Sequence, residues 1–254
     1  MKVSVITAVY HNQAFIKDAI ESVLSQKHVE IEYIIVDGGS NDGTVEVVKQ
    51  YGKQIHHFIS EPDEGVYYAL NKGINLATGD IIALLHSDDF YMHPFVLSQV
   101  VEVFIKENCD AVYSNLYYVK DSNINKIVRL WDSGQYKKND FFLGWMPPHP
   151  AFFVKRELYQ KFGAFNTSLK SAADYELMLR FIHKQEIALK YIPKFFVKMR
   201  TGGTSNRTLF NRLRANLEDR KAWYINGLKP KWYTLLLKPA IKLRQYRFFA
   251  YFSK

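Results

Sequence analysis

Two adjacent carboxylates follow a run of five apolar residues in the stretch IIALLHSDDF, residues 81–90. The run is typical of a strand buried on both faces, and it leads directly into His86, Ser87, Asp88 and Asp89. Neighbouring carboxylates repel each other more strongly as water is excluded, so we expect a compensating partner beside them. A divalent metal is one candidate, and basic side chains or exposure to solvent are the others.

A second acidic position follows another apolar run. The stretch IEYIIVDGGSNDGT, residues 31–44, closes a predicted strand with Asp37 and a glycine-rich turn. This turn has neither the lysine-serine ending of a P-loop nor the dinucleotide fingerprint G-x-G-x-x-G. An acidic side chain at such a strand tip can accept a hydrogen bond from a ribose hydroxyl or a base N–H, and the later pair can hold a metal that neutralises a diphosphate. Together the two positions predict a sugar-nucleotide site, although the turn alone would also suit a plain connection between a strand and a helix.

The elements that must position these side chains alternate between strand and helix patterns. KVSVITA and IEYIIVD read as strands, and NQAFIKDAIESVLSQ has its apolar residues at helical spacing. The alternation continues to DIIALLH and predicts an α/β fold with a mostly parallel sheet and flanking helices. Ligands bind outside the carboxyl ends of such strands, where Thr7 to Tyr10, Asp37 to Ser40 and Asp88–Asp89 all fall.

Beyond residue 110 the pattern changes to shorter and more aromatic pieces. AVYSNLYYV and KIVRLW read as antiparallel or edge strands, and PAFFVKRELYQKFG as a short strand and a helix. SAADYELMLRFIHK predicts a further helix whose start carries Asp174 and Glu176. Helical geometry turns these two side chains about 200° apart, so only one of them can face a cleft.

The composition excludes several classes of protein. With 254 residues, 48% of them hydrophobic and 15% aromatic, the chain is too rich in apolar side chains for a disordered protein. The single cysteine, Cys109, excludes an internal disulfide framework, fits a reducing compartment and is interpreted as core packing. We find no signal peptide and no apolar stretch of about 18 residues, so a spanning helix is not expected.

The net charge of +9 lies at one end of the sequence. Residues 207–254 contain 12 Lys/Arg and 2 Asp/Glu, a balance of +10, whereas residues 1–206 carry −1. A nucleic-acid-binding protein would more often spread its basic residues over a folded face, so no nucleic acid partner is expected. The asymmetry instead predicts a near-neutral catalytic or binding domain that carries a basic adhesive tail.

Four segments resemble, in the expected order, the signatures of family-2 glycosyltransferases with the GT-A fold. They are SVITAVYHNQAFIKDAIESVLSQ, EYIIVDGGSNDGT, DEGVYYALNKGINLATGDIIALLHSDD and SAADYELMLR, and the resemblance covers roughly residues 1–205. Bacterial enzymes that build surface polysaccharides are the nearest in kind. The resemblance implies a GT-A-like, Rossmann-type sheet with a nucleotide-sugar-binding half (1–110) and an acceptor-binding half (111–205). A basic amphipathic helical tail (206–254) lies outside it.

The resemblance also assigns roles to individual residues near the nucleotide. The positions that would hold the nucleoside are Thr7, Ala8, Tyr10, Asp37 and Gly38. Asn71 and Lys72 lie in the stretch that would approach the diphosphate or the base.

The acidic pair matches the metal motif of the family and implies Mn²⁺ or Mg²⁺ as cofactor. His86 stands where many relatives have aspartate, which leaves open which carboxylate touches the metal. Asp89 is favoured, with Asp88 as a second ligand or as a ribose contact. His149, in PPHPAFF, would contact the metal or the leaving diphosphate, and loop packing is its alternative role.

Family-2 enzymes generally invert the anomeric centre, and this requires a carboxylate that takes the proton of the acceptor hydroxyl. Asp174 matches the family motif at this position and is the predicted catalytic base. Capping of the helix dipole is the alternative role for an acidic residue at a helix start.

The prediction is therefore an inverting, metal-dependent glycosyltransferase. Its donor would be a nucleotide diphosphate-sugar, with a UDP-sugar favoured, and its acceptor a glycan or a lipid-linked glycan. A nucleotidyltransferase would need a glycine-rich and strongly basic first loop, and TAVYHNQAF has neither feature. A non-catalytic nucleotide-sugar binding module is supported only by the irregular His86.

The composition of the C-terminal segment predicts the cellular location of the protein. Residues 228–254 contain seven Lys/Arg, no Asp or Glu, and many apolar and aromatic side chains between them. This composition is typical of a helix in an anionic membrane interface, so we expect a cytoplasmic enzyme that is peripheral on the inner face of the cell membrane. The alternative is a helix that packs its apolar stripe on the protein and leaves a basic face in solvent.

Overall fold

The first four strands alternate with helices, as the sequence predicts. In the computed structural model, which describes residues 1–201 and 209–247, the strands are β1 Lys2–Val9, β2 Glu30–Asp37, β3 His57–Ser60 and β4 Ile81–Leu84. The helices between and after them are α1 Ile16–Leu24, α2 Thr44–Lys49, α3 Val66–Leu76 and α4 Val96–Glu107. These strands pair in parallel in the order β3-β2-β1-β4. The predicted α/β fold with flanking helices is confirmed.

The second half of the chain extends this sheet with strands of mixed direction. They are β5 Phe90–Tyr91, β6 Ala111–Lys120, β7 Asn123–Trp131, β8 Phe152–Lys155 and β9 Leu189–Arg200. In the described ranges the sheet has the order β3-β2-β1-β4-β8-β6-β9-β5, and β7 pairs with β6. β8 runs antiparallel to β4 and β6, and the predicted strands β6 and β7 form an antiparallel pair.

Strand β9 is the one long strand that the sequence patterns do not predict. It pairs in parallel with β6, and Tyr113 lies opposite Tyr191 whereas Asn115 lies opposite Phe195. A step of two residues along β6 therefore corresponds to a step of four along β9, and Pro193 lies within this bulge. Proline cannot donate to a ladder and is tolerated at bulges, which explains why a strand continues through it.

Side chains of β1 point alternately into two hydrophobic layers. Val3, Val5 and Val9 pack in the layer that contains α1 and α4, whereas Ile6 and Ala8 face the layer that contains α3. The second layer also contains α5 Arg156–Phe162, α6 Ala173–Met178 and α7 Leu209–Ile225. Helix α6 continues as a π-helix over Leu179–Lys184. The predicted helix at SAADYELMLRFIHK is therefore present and belongs to the core.

The described part of the tail packs on the body of the protein. Helix α7 buries Trp223 completely, and it is followed by α8 Thr234–Arg247. The Lys238 ammonium of α8 lies 2.6 Å from a carboxylate oxygen of Asp219, with both side chains largely buried. Gly144 has φ +86, and a Cβ there would come within 2.5 Å of the Lys238 backbone. Residues 209–225 and 234–247 are helical, and residues 215–241 pack against the body of the protein.

No helix within residues 1–201 and 209–247 is both long and apolar enough to cross a membrane.

Candidate active site

The carboxyl ends of β1, β2 and β4 lie side by side at one edge of the sheet. Val9 lies opposite Asp37 in the register of β1 and β2, and the Gly38 N–H donates to the Val9 carbonyl over 2.9 Å. On the other side, the Leu85 N–H donates to the Ile6 carbonyl over 3.0 Å and so extends the pairing of β4 beyond its last strand residue. The three predicted polar segments therefore begin at neighbouring points.

Three loops at this edge are joined by hydrogen bonds that the sequence patterns did not indicate. The His11 N–H donates to the Ser40 hydroxyl over 2.8 Å, which links the loops after β1 and β2. The Asn12 side-chain amide donates to the Ser87 hydroxyl over 2.7 Å, which links the loop after β1 to the acidic loop after β4. The first loop thus fixes the other two relative to each other.

Asp37 is completely buried, and one of its carboxylate oxygens has no protein partner. Its Oδ2 accepts hydrogen bonds from the N–H groups of Gly39 and Ser40, at 3.0 and 2.9 Å, and from the Ser60 hydroxyl at 2.7 Å. Its Oδ1 is buried and has no hydrogen-bond partner in the protein. Buried polar atoms are usually paired, so this oxygen is suited to accept a hydrogen bond from a bound nucleoside.

The other predicted nucleoside contacts differ in their accessibility. Tyr10 is exposed and stacks on His11 at a centroid distance of 4.0 Å, and a Cβ on Gly38 would lie 3.3 Å from the Tyr10 ring. Ala8 is buried in the core beside α3. The Thr7 side chain is also buried, and its hydroxyl lies 3.1 Å from that of Tyr33, so it does not reach the surface of the crevice.

Asn71 and Lys72 on α3 are engaged with protein groups. The Asn71 side chain donates to the Phe165 carbonyl and accepts from the Phe165 N–H, both over 2.9 Å, so it connects α3 to the loop before α6. The Lys72 ammonium lies 2.7 Å from the carboxylate of Glu61, and both side chains are partly exposed. Lys72 can leave this exposed pair at little cost, whereas Asn71 has a structural role.

The acidic loop holds an unpaired buried carboxylate. Asp89 is completely buried, and neither of its carboxylate oxygens has a hydrogen-bond partner in the protein. Burial, reinforced by the charge of Asp88, raises the pKa of the Asp89 carboxyl well above its usual range, and nearby Arg200 opposes this effect. Arg200 also donates to the Asp88 carbonyl over 2.8 Å and contacts the Asp18 carboxylate.

This loop fits a divalent cation. An unpaired buried carboxylate is costly unless a positive charge compensates it, and carboxylate oxygens are the ligands that Mg²⁺ and Mn²⁺ prefer. Across the described residues no group of three His, Cys, Asp or Glu side chains is already gathered to hold a metal. The remaining ligands of an ion at Asp89 would therefore come from the diphosphate and water, as is usual for Mg²⁺ at phosphate sites.

Asp174 is held from both sides at the start of α6. The Tyr67 hydroxyl of α3 donates to its Oδ1 over 3.2 Å, and Nδ1 of His149 lies 3.3 Å from its Oδ2. The other ring nitrogen of His149, Nε2, lies 2.5 Å from Nε2 of His86 in the acidic loop. Burial, reinforced by the neighbouring imidazole, lowers the pKa of His149 to about 4, and burial also lowers the pKa of His86.

Glu176 faces away from this cluster, although it is only two residues from Asp174. It is 1% exposed and accepts from the Arg180 guanidinium over 3.0 and 2.9 Å. The side-chain amide of Asn226, just beyond α7, donates to the same carboxylate over 3.1 Å. Glu176 therefore connects α6 to the tail, and Asp174 is the carboxylate of this pair that lies with the other candidate site residues.

Sequence reasoning missed the contacts that join the two halves of this site. His86 attracted notice only as a departure from an aspartate, and nothing in the spacing of residues 86, 149 and 174 indicates that their side chains meet. Tyr67 and Arg200 gave no signal, because a tyrosine on a helix and an arginine in a strand are common in any fold.

The parallel strands that share one carboxyl-end edge, extended by a second half of mixed direction, form a GT-A-like α/β fold. The model of Glycosyl transferase family 2 matches residues 4–163, and the chain belongs to this family. It is 32% identical over 180 residues to an uncharacterized glycosyltransferase of Mycobacterium tuberculosis, covering 70% of this chain and 68% of the relative. An uncharacterized glycosyltransferase of Methanocaldococcus jannaschii is 27% identical over 91% of this chain and 79% of the relative.

Solved structures with low sequence identity share the fold. The S. aureus protein TarS, as residues 1–349 in complex with UDP-GlcNAc, has a TM-score of 0.68 at 16% identity and covers 89% of this chain. The mannosyltransferase PcManGT from Pyrobaculum calidifontis, in complex with GDP-Man and Mn²⁺, has a TM-score of 0.65 at 17% identity and covers 92% of this chain. This chain spans 66% and 67% of those two chains, and 39% of a longer TarS chain.

Proposed function

We propose that the protein transfers a sugar, with inversion, from a nucleotide diphosphate-sugar to a hydroxyl of a glycan or lipid-linked glycan in the synthesis of a bacterial surface polysaccharide. The observation that carries this proposal is the line of contacts from Asp174 through His149 to His86. It places the proposed base one side chain away from the acidic loop that would hold the diphosphate.

In the proposed reaction the acceptor oxygen attacks the anomeric carbon of the donor. The bond between this carbon and the phosphate oxygen breaks, and the nucleotide diphosphate leaves with the electron pair. Asp174 takes the proton of the attacking hydroxyl, and because the attack is in line the anomeric configuration inverts. Its partly exposed carboxylate accepts from Tyr67 and His149, so it is oriented before the acceptor arrives.

Asp89, with Asp88 as a second ligand or as a ribose contact, would hold Mn²⁺ or Mg²⁺. When bound, the ion supplies positive charge that stabilises the leaving diphosphate. A metal contact from His149 stays a prediction from the sequence, and it would require the ring to give up one of its two protein contacts.

A UDP-sugar is the proposed donor. Asp37 supports it, because its free Oδ1 can accept from the N–H of a base or from a ribose hydroxyl. TarS binds UDP-GlcNAc and PcManGT binds GDP-Man with Mn²⁺, so relatives of this fold accept different nucleotides. Tyr10, exposed beside Gly38, is available for contact with the nucleoside.

The decisive experiment offers the protein a panel of UDP- and GDP-sugars with Mn²⁺ and candidate acceptors, and follows release of the nucleotide diphosphate. We expect turnover of one donor, which EDTA abolishes and Mn²⁺ restores. Asp174→Asn serves as the reference variant, which we expect to bind the nucleotide and to transfer at a strongly reduced rate. Binding without turnover for every donor and acceptor tried would favour a non-catalytic nucleotide-sugar module instead.

We further propose that the protein is peripheral on the inner face of the cell membrane, where it meets a lipid-linked acceptor. The loop between α7 and α8 supports this, because it exposes Lys229, Lys231 and 83% of Trp232, and Leu236 on the first turn of α8 is 63% exposed. An exposed tryptophan directly after two exposed lysines is suited to an anionic interface, where each basic residue contributes about 1 kcal/mol.

Liposome co-sedimentation tests this attachment. Truncation of the tail would remove buried Trp223, so surface substitutions are the better probe. We expect Trp232→Ser with Leu236→Ser to reduce pelleting with phosphatidylserine vesicles, and high salt to reduce it further. Ile105→Ser, which changes a 66% exposed side chain on α4, is the matched control. Equal pelleting of the wild type and both variants would exclude this loop as the anchor.

A further inference from the structure

Three separate elements bring Asp174, His149 and His86 into a row of side-chain contacts. Asp174 lies in the first turn of α6, His149 lies just before β8, and His86 follows β4. Nδ1 of His149 is 3.3 Å from Oδ2 of Asp174, and its Nε2 is 2.5 Å from Nε2 of His86. The two imidazoles meet edge to face, with an angle of 71° between their planes. Both nitrogens of His149 are thus engaged with protein side chains.

With both imidazoles neutral, the protons in this line can be ordered in one way. An ionised carboxylate only accepts hydrogen bonds, so Nδ1 of His149 must carry the proton that points at Asp174. A neutral imidazole has one N–H, and Nε2 of His149 is therefore an acceptor. Nε2 of His86 must then be the donor to it. The chain of donors runs from His86 through His149 to Asp174.

A carboxylate at this position needs such support. Rotation about the terminal torsion of an aspartate side chain is broad, so nothing within Asp174 itself selects one orientation of its two oxygens. Helix α6 is also short and passes into a π-helix after six residues. Contacts to both oxygens, from Tyr67 at Oδ1 and from His149 at Oδ2, fix the plane of the carboxylate.

We infer that His149 is a positioning residue for the base Asp174, and that His86 fixes the tautomer and orientation of His149. The inference rests on the proposed function, in which Asp174 takes the acceptor proton. It gives His86 a role in holding His149. It also distinguishes His149 from a metal ligand, because its effect on the reaction would pass through Asp174.

A pair of amide substitutions separates the two ring nitrogens. Asparagine places its amide near the position of Nδ1, whereas glutamine reaches toward the position of Nε2. We expect His149→Ala to lower kcat by up to about 100-fold, the cost of a misplaced catalytic group, with KM for the donor little changed. His149→Asn should recover much of this loss and His149→Gln should not. Equal activity of His149→Ala and the wild type would overturn the inference.

A double-mutant cycle with Asp174→Asn tests whether His149 acts through the base. If it does, adding His149→Ala to Asp174→Asn lowers kcat no further, because the two residues act as a unit. Additive losses, or weaker binding of Mn²⁺ and UDP measured by calorimetry for His149→Ala, would show instead that His149 acts on the metal or the diphosphate.

The tautomers of His149 and His86 can be measured without an activity assay. Nitrogen-15 NMR of the histidine side chains of the full chain should show His149 protonated at Nδ1 and His86 protonated at Nε2. A proton on Nε2 of His149 would overturn the inference, whatever the activity of the enzyme. A wild type with these tautomers that transfers no sugar would contradict the proposed function and leave the contact itself established.

Discussion

The proposed nucleotide edge, with Asp37 and Asp89, and the proposed base site around Asp174 hold their carboxylates in opposite ways. At the nucleotide edge, Asp37 and Asp89 are buried and keep oxygens without a protein partner. At the base site, Asp174 is partly exposed and both of its oxygens are contacted by protein side chains. The carboxylates of the first region lack partners that a ligand could supply. The carboxylate of the second region has protein partners on both oxygens before any ligand binds.

The two regions also differ in how the chain builds them. The nucleotide edge comes from consecutive βα units whose loops are joined by short contacts such as that of His11 with Ser40. The base site draws on α3, the segment before β8, α6 and the tail, which are far apart in sequence. An edge whose carboxylates stay unpaired can be built from neighbouring βα units. Fixing the orientation of one carboxylate requires contacts from elements that are far apart in sequence.

The largest effect is expected at the unpaired carboxylate of the nucleotide edge. Asp89→Asn should lower transfer by at least about 10³-fold, because it removes the charge that would hold the metal at the leaving diphosphate. The free energy of unfolding should stay equal or rise, since the variant no longer buries an unpaired charge. Activity assays and denaturant unfolding measure the two effects, and Asp121→Asn in the β6–β7 turn is the control. A variant that keeps its activity would remove Asp89 from the metal site.

At the base site, Asp174→Asn should lower kcat by about 10² to 10⁴-fold, the usual range for a general base, while UDP binding persists. Glu176→Gln is the matched variant two residues away. Because Glu176 is buried with Arg180 and Asn226, we expect this variant to lose stability and to keep its activity per folded molecule. Thermal unfolding beside kinetics separates the two, and a Glu176→Gln enzyme that is folded but inactive would reverse the assignment.

The support of the base site by the tail can be tested with two tryptophans. Trp223 is fully buried, and its indole N–H donates to the Tyr175 hydroxyl of α6 over 2.9 Å, whereas Trp232 is 83% exposed. Trp223→Ala should lower the free energy of unfolding by about 3 to 5 kcal/mol, and Trp232→Ala by less than about 0.5 kcal/mol. Urea unfolding measures both. Similar losses for the two variants would mean that the tail does not contribute to the core as described.

A smaller effect is expected for binding at Asp37. Asp37→Asn should weaken UDP binding by about 10-fold, the scale of one hydrogen bond to a charged group, because the charged acceptor Oδ1 is lost. Calorimetry with UDP and Mn²⁺ measures it, and Glu46→Gln at an exposed position of α2 is the control. Undiminished affinity would show that the free oxygen of Asp37 does not contact the nucleoside.

The smallest effect is a dependence of stability on pH. The pKa of Asp89 is raised in the folded protein, so the unfolded chain loses this proton first, near pH 4. The free energy of unfolding of the metal-free wild type should therefore fall, relative to Asp89→Asn, as the pH rises from about 4 toward the raised pKa. Urea unfolding across this range measures the difference. A difference that grew in favour of the wild type with rising pH would contradict the raised pKa.

The nucleotide half was the more predictable of the two regions. Its strands are apolar runs bounded by turn residues, and in a parallel sheet their carboxyl ends must share an edge, so Asp37 and Asp89 follow from pattern alone. In the second half, the sequence did not predict β9, because it contains Pro193 and proline is normally excluded from strand interiors. The contact of His86 with His149 was not predictable, since it depends on how β4 and β8 pair rather than on any local spacing.

The packing of the tail was not predictable for a related reason. Its charge predicts an adhesive surface, and the loop around Trp232 keeps that possibility, but charge says nothing about which side chains point inward. Trp223, Asp219 and Lys238 turn toward α6, and the Lys238 ammonium lies 3.5 Å from the centre of the Tyr175 ring. A buried pair and a cation–π contact cannot be read from a helix in which basic and apolar residues alternate without a clear stripe.

The packing of α7 behind α6 has a consequence for the order in which the enzyme matures during synthesis. A ribosome releases the nucleotide edge early, because all of its strands lie within the first 84 residues of the chain. Helix α6, which carries Asp174, is not covered until Trp223 has emerged and reached Tyr175. In the proposed reaction, Asp174 would therefore gain its full support later in synthesis than the strands whose loops would hold the nucleotide. Binding of the nucleotide and transfer of the sugar would then depend on different stretches of the chain.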